Sequence, residues 1–319
     1  MGADAVPEAG LVTAGETMGL VVQQAAGSPR NGEPMSFGIG GSESNVAIGV
    51  RRLGVPATWI GRVGADPPGE LIRRELRAER VEVIAPTDPA PTGLMIRWRP
   101  TAMHGRVDYY RRDSAGAHLR SGDISTEAIR RAAVFHATGI TLALGPDPAA
   151  AIRHGTAIAR QSGTTVSFDL NYRRALWSTD EAAPALKEAV RAADVVFAGA
   201  EEAAIIAGTG DPADAARAIA ALGPSQVLIK LGADGCLALI DGVELTQAAP
   251  AVTVVDTVGA GDAFVAGYLA ELIAGAPPSR RLATAVAAGA LAVTVSGDWE
   301  GLPDRAALEL LGSTDPVIR

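Results

Sequence analysis

The strongest constraint on the fold is a regular alternation of short β-branched runs with longer helical patterns along most of the chain. The runs predicted as strands are Leu11–Thr13, Thr58–Val63, Val134–Thr138, Thr164–Phe168, Val195–Phe197 and Val227–Leu231. The helical patterns are Asn45–Leu53, Gly69–Glu79, Pro148–Gln161, Ala182–Ala192 and Ala213–Leu222. Strands that alternate with helices form a mostly parallel sheet with helices on both faces. We therefore predict an α/β fold with three layers, α/β/α.

Two segments interrupt this alternation with strand-like runs that have no helix between them. They are residues 18–37, with the run Leu20–Gln23, and residues 92–113, with Leu94–Arg99 and Val107–Arg111. We predict that they form a small antiparallel annex, a lid that excludes water from a site, although an ordinary edge hairpin fits the periodicity as well. No linker-like tract divides the chain, so we predict one domain over residues 1–319. Exposed lid edges favour pairing between subunits, which makes a homo-oligomer plausible.

Composition and charge exclude several classes of protein. The 319 residues are 48% hydrophobic and 20% charged, which excludes a disordered or fibrous chain. The net charge of -8 gives no general attraction to nucleic acid or to anionic membranes, so we predict neither as a partner. The longest apolar stretch, Ala285–Val295, is shorter than the roughly 20 residues of a membrane span. The single cysteine, Cys236, and an N-terminus without signal-peptide features predict a cytoplasmic location.

The segment Asp256–Phe264, DTVGAGDAF, carries the most informative chemistry. It follows the run Val252–Val255, predicted as a strand, and opens a helical pattern that continues to about Ala274. Glycines let the backbone approach a phosphate, and the free N–H groups of a helix start attract negative charge, which predicts an anion hole. Asp262 at its mouth suits a base that accepts the proton of a hydroxyl attacking a phosphoryl group. The alternative is a cap or first-turn acid that interacts with the helix dipole.

The chain lacks the sequence motifs of several other enzyme classes. A P-loop needs G-K-[ST], but the two lysines of the chain, Lys187 and Lys230, do not follow glycine. No serine lies in G-x-S-x-G, and no histidines form H-E-x-x-H. Gly38, Gly40 and Gly41 do not complete G-x-G-x-x-G, so a dinucleotide-binding dehydrogenase has little support.

Two signatures resemble those of the ribokinase-like sugar kinases, also called the phosphofructokinase-B family. Asp256–Phe264 is similar to the C-terminal signature, and Gly38–Ala47, GIGGSESNVA, is similar to the N-terminal motif. The resemblance covers residues 11–312 and implies the ribokinase-like α/β fold with a β-strand lid. It also implies an ATP-dependent carbohydrate kinase.

The resemblance assigns roles to residues of both signatures. It implies that Asp262 is the base that deprotonates the acceptor hydroxyl, and that the amides of Gly259, Ala260 and Gly261 hold the transferring phosphate. From the N-terminal motif it implies that the sugar hydroxyls contact Gly40, Gly41 and Asn45.

The resemblance also implies a nucleotide site with ATP and Mg²⁺. Its nucleotide-side turn corresponds to Lys230, Gly232 and Gly235, and its adenine-side helix contains Gly289. Lys230 is expected to meet a phosphate as a point charge, with a strand-end solvent lysine as the alternative. The family's N-x-x-E motif is matched by Glu202, expected to hold magnesium through water, but Gly199 stands where the Asn is usual.

The acceptor is predicted from an arginine-rich stretch in the second lid segment. Residues 97–112 hold five arginines and one acid interleaved with aromatic residues. This pattern suits nucleic acid or a small anion, and the acidic chain around it favours the small anion, because arginine binds a carboxylate with two hydrogen bonds.

Within the family, the stretches around Tyr109, Arg111 and Arg173 resemble the 2-keto-3-deoxygluconate kinases. The resemblance implies that these three residues contact a sugar acid and that the product is the 6-phosphate. One departure is Met95, where those kinases tend to carry a tyrosine. The rival hypotheses are a kinase for another sugar (fructose, ribose, a deoxy-keto-gluconate or a nucleoside) and a non-catalytic sugar- or nucleotide-binding regulator.

Overall fold

The computed structural model describes residues 9–101 and 104–311; residues 102 and 103 of the predicted lid lie outside this range. The strands are β1 (Leu11–Ala14), β2 (Met18–Ala26), β3 (Met35–Gly40), β4 (Ala57–Ile60), β5 (Val63–Gly64), β6 (Glu82–Ile84), β7 (Thr87–Asp88), β8 (Leu94–Thr101), β9 (His104–Tyr110), β10 (Val134–Thr138), β11 (Thr165–Asp169), β12 (Val195–Gly199), β13 (Gln226–Lys230), β14 (Cys236–Ile240) and β15 (Val243–Gln247). The helices are α1 (Ser42–Arg52), α2 (Pro67–Ala78), α3 (Thr126–Arg131), α4 (Gly139–Ala143), α5 (Pro146–Ser162), α6 (Thr179–Arg191), α7 (Ala200–Ala207), α8 (Pro212–Ala220), α9 (Ala260–Ile273), α10 (Pro278–Ala292) and α11 (Arg305–Glu309).

Nine strands form the main sheet, in the order β15-β14-β13-β12-β11-β10-β1-β4-β6. From β13 to β6 neighbouring strands are parallel, for example with Leu11 opposite both Val134 and Ala57. The hairpin of β14 and β15 adds the antiparallel edge. Its turn, Asp241-Gly242, has positive φ at both residues, as a tight hairpin turn requires.

Helices cover both faces of this sheet, which confirms the predicted three layers. One core lies between the sheet and α1, α2, α9 and α10, with Trp59, Phe197 and Tyr268 buried in it. The other core lies under α3 to α8 and includes Phe135 and Phe168. Helix α9 is apolar around most of its circumference, as expected for a helix packed between the sheet and α10.

The two interrupting segments form a separate sheet, in the order β3-β2-β8-β9, which we call the lid. The outer pairs are antiparallel as predicted, but the central pair of β2 and β8 is parallel. The two central strands run in the same direction, with Gly19 and Leu94 opposite each other at their starts. Glu16 lies beside this end of the pair, next to Gly93. Each segment then returns through its own partner strand, so the lid is a mixed sheet.

The predicted strand Val252–Val255 is wrong. These residues have no strand partner, and Val254 and Val255 are exposed. The N–H groups of Val255 and Asp256 both donate to the carbonyl of Val293 instead. β-branched composition alone therefore predicted a strand that the topology does not accommodate.

Within the described part of the chain, none of the helices combines the length and apolar character that a membrane span requires.

Candidate active site

A cavity of about 1390 Å³, here called the cleft, lies between the carboxyl edge of the main sheet and the lid. Parallel strands supply residues to it where they end, with Asp169 on β11, Gly199 on β12 and Lys230 on β13. The loop before α9 contributes Gly259. A crevice outside the carboxyl ends of the strands is where open α/β sheets bind ligands.

Asp262 lies in the first turn of α9, but its carboxylate is held by α1. Ser42 Oγ donates to Asp262 Oδ1 at 2.7 Å, and Asn45 Nδ2 donates to Oδ2 at 2.8 Å. Ser42 is itself oriented by Asn171, whose Nδ2 donates to Ser42 Oγ at 2.8 Å. An acid that served only the helix dipole would need none of these partners. The arrangement fixes a carboxylate at the cleft, as a general base requires.

Three carboxyl groups lie close together at this end of the cleft, with Glu43 fully buried and Asp262 and Asp298 partly buried. Burial raises the pKa of Asp262, against the opposing effect of its hydrogen bonds from Ser42 and Asn45. Asn45 Nδ2 also donates to Asp298 Oδ2 at 3.0 Å, and burial raises the pKa of Asp298 to about 6. Burial likewise raises the pKa of Glu43, which is the residue after Ser42. A carboxylate with a raised pKa is a stronger base for a hydroxyl proton.

The loop before α9 has the geometry that an anion hole requires. Gly259 has a φ of 78°, and the carbonyl of Asp298 packs where a Cβ would stand, so the position requires glycine. No described side chain caps the start of α9, which leaves the N–H groups of its first turn open to a ligand. Lys230 Nζ lies 3.6 Å from the place that a Cβ of Gly261 would take. Open amides beside a cation form a site for phosphate.

Lys230 is paired with a carboxylate in this structure. Its Nζ lies 2.8 and 3.0 Å from the two carboxylate oxygens of Asp169. Burial opposes the charged amine, but Asp169 and Glu202 outweigh it and raise the pKa of Lys230. Lys230 is therefore a held cation at the cleft rather than a strand-end lysine in solvent.

Glu202, the predicted magnesium residue, caps its own helix. Its Oε2 accepts a hydrogen bond from Gly199 N at 2.7 Å, and burial raises its pKa. Over residues 9–101 and 104–311, no cluster of three or more His, Cys, Asp or Glu side chains could hold a metal ion. A magnesium ion here would depend chiefly on the phosphate oxygens of a ligand, with Glu202 acting through water.

The N-terminal motif joins the lid strand β3 to helix α1, and its two glycines pack tightly against neighbouring segments. Gly41 and Asn45 line the cleft, whereas Gly40 lies behind it. A Cβ on Gly40 would collide with the Asp298 carboxylate and Met95, and one on Gly41 with the carbonyl of Glu16. These two glycines allow the close approach that places Asn45 beside Asp262.

Besides Gly40, four predicted residues do not line the cleft: Ala260, Gly232, Gly235 and Gly289. Gly289 of α10 packs against the carbonyl of Ala260 and the side chain of Phe264. Gly232 and Gly235 form the short turn between β13 and β14. The structure places these four behind or beside the site, and their contacts with a nucleotide stay predictions.

Tyr109, Arg111 and Arg173, the residues predicted to contact a sugar acid, all line the cleft. The two arginines differ in whether their charge is paired. Arg111 Nε donates to Glu16 Oε2 at 2.7 Å, and its guanidinium also lies over the ring of Tyr109. Ser114 Oγ donates to the other carboxylate oxygen of Glu16 at 2.5 Å. Arg173 is exposed, and its side chain forms no hydrogen bond or ion pair with any described residue. Burial raises the pKa values of Asp262 and Glu202, and the positive charge of Arg173, which lines the same cleft, partly opposes that rise.

Sequence reasoning gave no role to Glu16, Ser42, Asp169 and Asp298, all of which the structure brings to the cleft. Asp169 had a usable signal, because it ends a buried parallel strand. Ser42 lies three residues before Asn45 and so shares its helix face. Glu16 and Asp298 lie in loops, where only tertiary contacts reveal them.

Comparison with known proteins gives a consistent result. The profile of the pfkB family carbohydrate kinases matches residues 9–305. The chain is 34% identical to a 2-dehydro-3-deoxygluconokinase of Bacillus subtilis (strain 168) over 306 residues, 92% of each protein. It is 35% identical to a fructokinase of Klebsiella pneumoniae over 274 residues, 83% of this chain and 88% of that protein. The crystal structure of a PfkB protein from Polaromonas sp. JS666 is similar with a TM-score of 0.86 and 30% identity, covering 94% of this chain and 99% of that one.

Proposed function

The chain belongs to the pfkB family of carbohydrate kinases, and we propose that it transfers the γ-phosphoryl group of ATP to the C6 hydroxyl of 2-keto-3-deoxygluconate. The enzymes of this family are ATP-dependent and work with Mg²⁺. The observation that carries the proposal is the meeting of a fixed carboxylate, an open anion hole and an unpaired arginine in one cleft. These are Asp262, the loop at Gly259 and Arg173.

In the proposed reaction Asp262 accepts the proton of the C6 hydroxyl while that oxygen forms its bond to the γ-phosphorus. The bond from this phosphorus to the bridging oxygen breaks, and ADP leaves with the electron pair. The amides at the start of α9 and the amine of Lys230 stabilise the charge of the transferring group. A positioned base of this kind contributes about 10² to 10⁴ in rate.

Magnesium and the lid are the two other parts of the proposed reaction. Magnesium, when bound, neutralises phosphate charge, and Glu202 is the side chain placed to reach it through water. The lid lies over the acceptor side, where it excludes water that would otherwise take the phosphoryl group. We propose that the main sheet and the lid form one catalytic unit.

The choice of a sugar acid rests on the arginines and on the lid. Arg173 offers an uncompensated positive charge at the acceptor side, suited to a carboxylate. Met18, Leu20 and Met95 form an apolar cluster on the inner face of the lid, against which a deoxygenated carbon can lie. The 2-dehydro-3-deoxygluconokinase of Bacillus subtilis supports the same acceptor.

One observation favours a second candidate, a kinase for a neutral sugar such as fructose. The charge of Arg111 is already balanced by Glu16, so only one of the two predicted arginines is free for an anion. The fructokinase of Klebsiella pneumoniae is similar over most of the chain. The two candidates differ in whether loss of the Arg173 charge impairs turnover.

The deciding experiment measures ADP release with Mg²⁺-ATP against 2-keto-3-deoxygluconate, its galactonate epimer, fructose, ribose and adenosine, with Asp262→Asn in parallel. Turnover confined to the keto-deoxy sugar acids and lost in the variant supports the proposal. Turnover on fructose keeps the kinase and replaces the acceptor. Silence on every acceptor would favour a non-catalytic binding protein.

We further infer a homo-oligomer formed through the lid. The strands β3 and β9 are the outer strands of the lid, and Met35, Phe37 and Tyr110 on them are exposed. Unpaired strand edges with apolar side chains favour association. A monomer mass by light scattering at micromolar concentration would refute this inference. The cytoplasmic location stays a prediction.

A further inference from the structure

Arg97 connects the lid to the loop that carries the anion hole. It lies on β8, and its side chain is 13% exposed. Nη1 forms an ion pair with Asp256 Oδ2 at 2.9 Å and lies 3.4 Å from the carbonyl of Gly297. A buried ion pair of this kind joins two parts of the chain that share no secondary-structure element.

Asp256 in turn joins two loops beside the anion hole. Its Oδ1 accepts a hydrogen bond from Val258 N at 3.2 Å, which fixes the turn leading into Gly259. Its Oδ2 accepts from Gly297 N at 3.3 Å. The carboxylate paired with Arg97 therefore ties the turn at residues 256–259 to the loop at residues 293–298.

The second loop reaches the proposed base. The carbonyl of Asp298 packs directly against Gly259. The carboxylate of Asp298 accepts a hydrogen bond from Asn45, which also donates to Asp262. Arg97 thus contacts the turn at residues 256–259 and the loop at residues 293–298, which together adjoin both the anion hole and the base. Arg97 also lines the cleft.

We propose that Arg97 is a positioning residue that couples the placement of the lid to the arrangement of the anion hole. With the lid in place, the guanidinium balances Asp256 and holds the turn at residues 256–259. Without this contact, Asp256 is an unbalanced negative charge beside the hole, where it repels the phosphoryl group. The hole is then complete only when the lid covers the acceptor.

The inference rests on the proposed function, but its first test does not need turnover. Hydrogen exchange by mass spectrometry is compared for Arg97→Met and Arg99→Met in the full chain. Arg99 lies on the same strand, is exposed, does not line the cleft and has no side-chain bond to a described residue, so it is a matched control. We expect faster exchange in peptides covering 256–264 and 293–300 for Arg97→Met, and wild-type exchange there for Arg99→Met. Equal exchange in the two variants overturns the proposal.

The second test measures kinetics with the acceptor identified by ADP release. We expect Arg97→Met to lower kcat by about 10- to 100-fold, with less effect on the KM of the acceptor. A displaced anion hole stabilises the transition state of phosphoryl transfer less well. Asp256→Asn should have a similar effect, and the double variant should lose no more than either single variant. Arg97→Lys keeps the charge and should retain more of kcat than Arg97→Met.

Other outcomes separate the two proposals. If the wild-type enzyme turns over an acceptor and Arg97→Met changes kcat by less than about twofold, the positioning role of Arg97 is wrong. The proposed kinase activity is then unaffected. Losses that multiply in the double variant also overturn the positioning role. Loss of thermal stability with unchanged kcat would assign Arg97 a purely structural role. A wild-type protein that turns over no acceptor rejects the proposed function, while the exchange comparison still decides the coupling.

Discussion

Arg111 and Glu16 form a closed ion pair inside the cleft, with Arg111 Nε 2.7 Å from Glu16 Oε2. The exposed fractions of the two side chains are 9% and 0%, so water does little to screen either charge. The charge of Arg111 is therefore neutralised by Glu16. The side chain of Arg173 has no ion-pair partner among the described residues and can bind an anionic acceptor. This division between two arginines that look equivalent along the chain leads to the first two predictions.

Arg173→Ala should raise the KM for a sugar acid by about 10- to 100-fold, because a hydrogen bond to a charged group contributes roughly 1.5 to 3 kcal/mol. Arg130→Ala serves as the control and should change KM by less than about threefold, because Arg130 is also exposed but does not line the cleft. Steady-state ADP release over a range of acceptor concentrations measures both. Equal effects of the two variants would contradict a specific role for Arg173.

Arg111→Met should destabilise the fold by about 3 to 5 kcal/mol, because it leaves the buried carboxylate of Glu16 without its cation. The double variant Arg111→Met, Glu16→Gln should recover much of this loss, since the amide that replaces the carboxylate carries no charge and Ser114 can still bond to it. Urea unfolding followed by circular dichroism measures the free energies of unfolding. A double variant no more stable than Arg111→Met would show that the pair is not the cause.

Asp262→Asn should lower kcat by about 10² to 10⁴ without lowering the unfolding temperature. An amide at this position can accept a hydrogen bond from Asn45 and donate one to Ser42 Oγ, and it removes a buried charge. In the wild type, kcat/KM should rise with pH as Asp262 loses its proton, and burial raises the pKa of this group, which moves the rise above the range of an ordinary aspartate. A pH profile with its acid limb near the ordinary value would contradict the assignment of Asp262 as the buried base.

Asp298 should make the protein less stable as the pH rises. Burial raises the pKa of Asp298 to about 6 from the ordinary value of 3.8. The folded state therefore holds the proton more tightly, and the cost of ionising the buried group develops between these two values and is complete above the higher one. Asp298→Asn should be more stable than the wild type at pH 7.5, by on the order of 2 to 3 kcal/mol, and equally stable near pH 4.

The exposed variant Asp113→Asn is the control for this pH dependence, and its stability difference from the wild type should not vary with pH in the same range. Thermal unfolding at a series of pH values measures both variants. A difference for Asp298→Asn that stays constant from pH 4 to pH 7.5 would reject the raised pKa.

Gly259→Ala should abolish most activity and lower stability, because its φ of 78° is strained for alanine and its Cβ would meet the carbonyl of Asp298. Gly275→Ala is a matched control, with a φ of 70° and open space around the Cβ. It should cost about 1 kcal/mol of stability with unchanged turnover. Thermal unfolding and ADP release on both variants separate backbone strain from damage to the anion hole.

Local patterns along the chain were enough to predict the alternation of strands and helices and the glycine-rich helix start at Asp262. These features depend on neighbours in sequence: β-branched runs, helical periodicity, and glycines at a helix start. The same local reasoning was wrong for Val252–Val255, because a strand also needs a partner strand and this segment bonds to the carbonyl of Val293 instead. It also missed the parallel pairing of β2 with β8, which joins two segments far apart along the chain.

Residue types and their spacing decided which layers the chain forms and singled out Asp262 as the candidate base. The folded arrangement alone decided how charges are matched: Arg111 with Glu16, Lys230 with Asp169, and Arg97 with Asp256. The physical reason is that helix and strand formation depends on short-range backbone geometry, whereas the strength of a charge depends on burial and on partners brought together by the fold. Which arginine remains free for an acceptor is therefore a property of the tertiary structure.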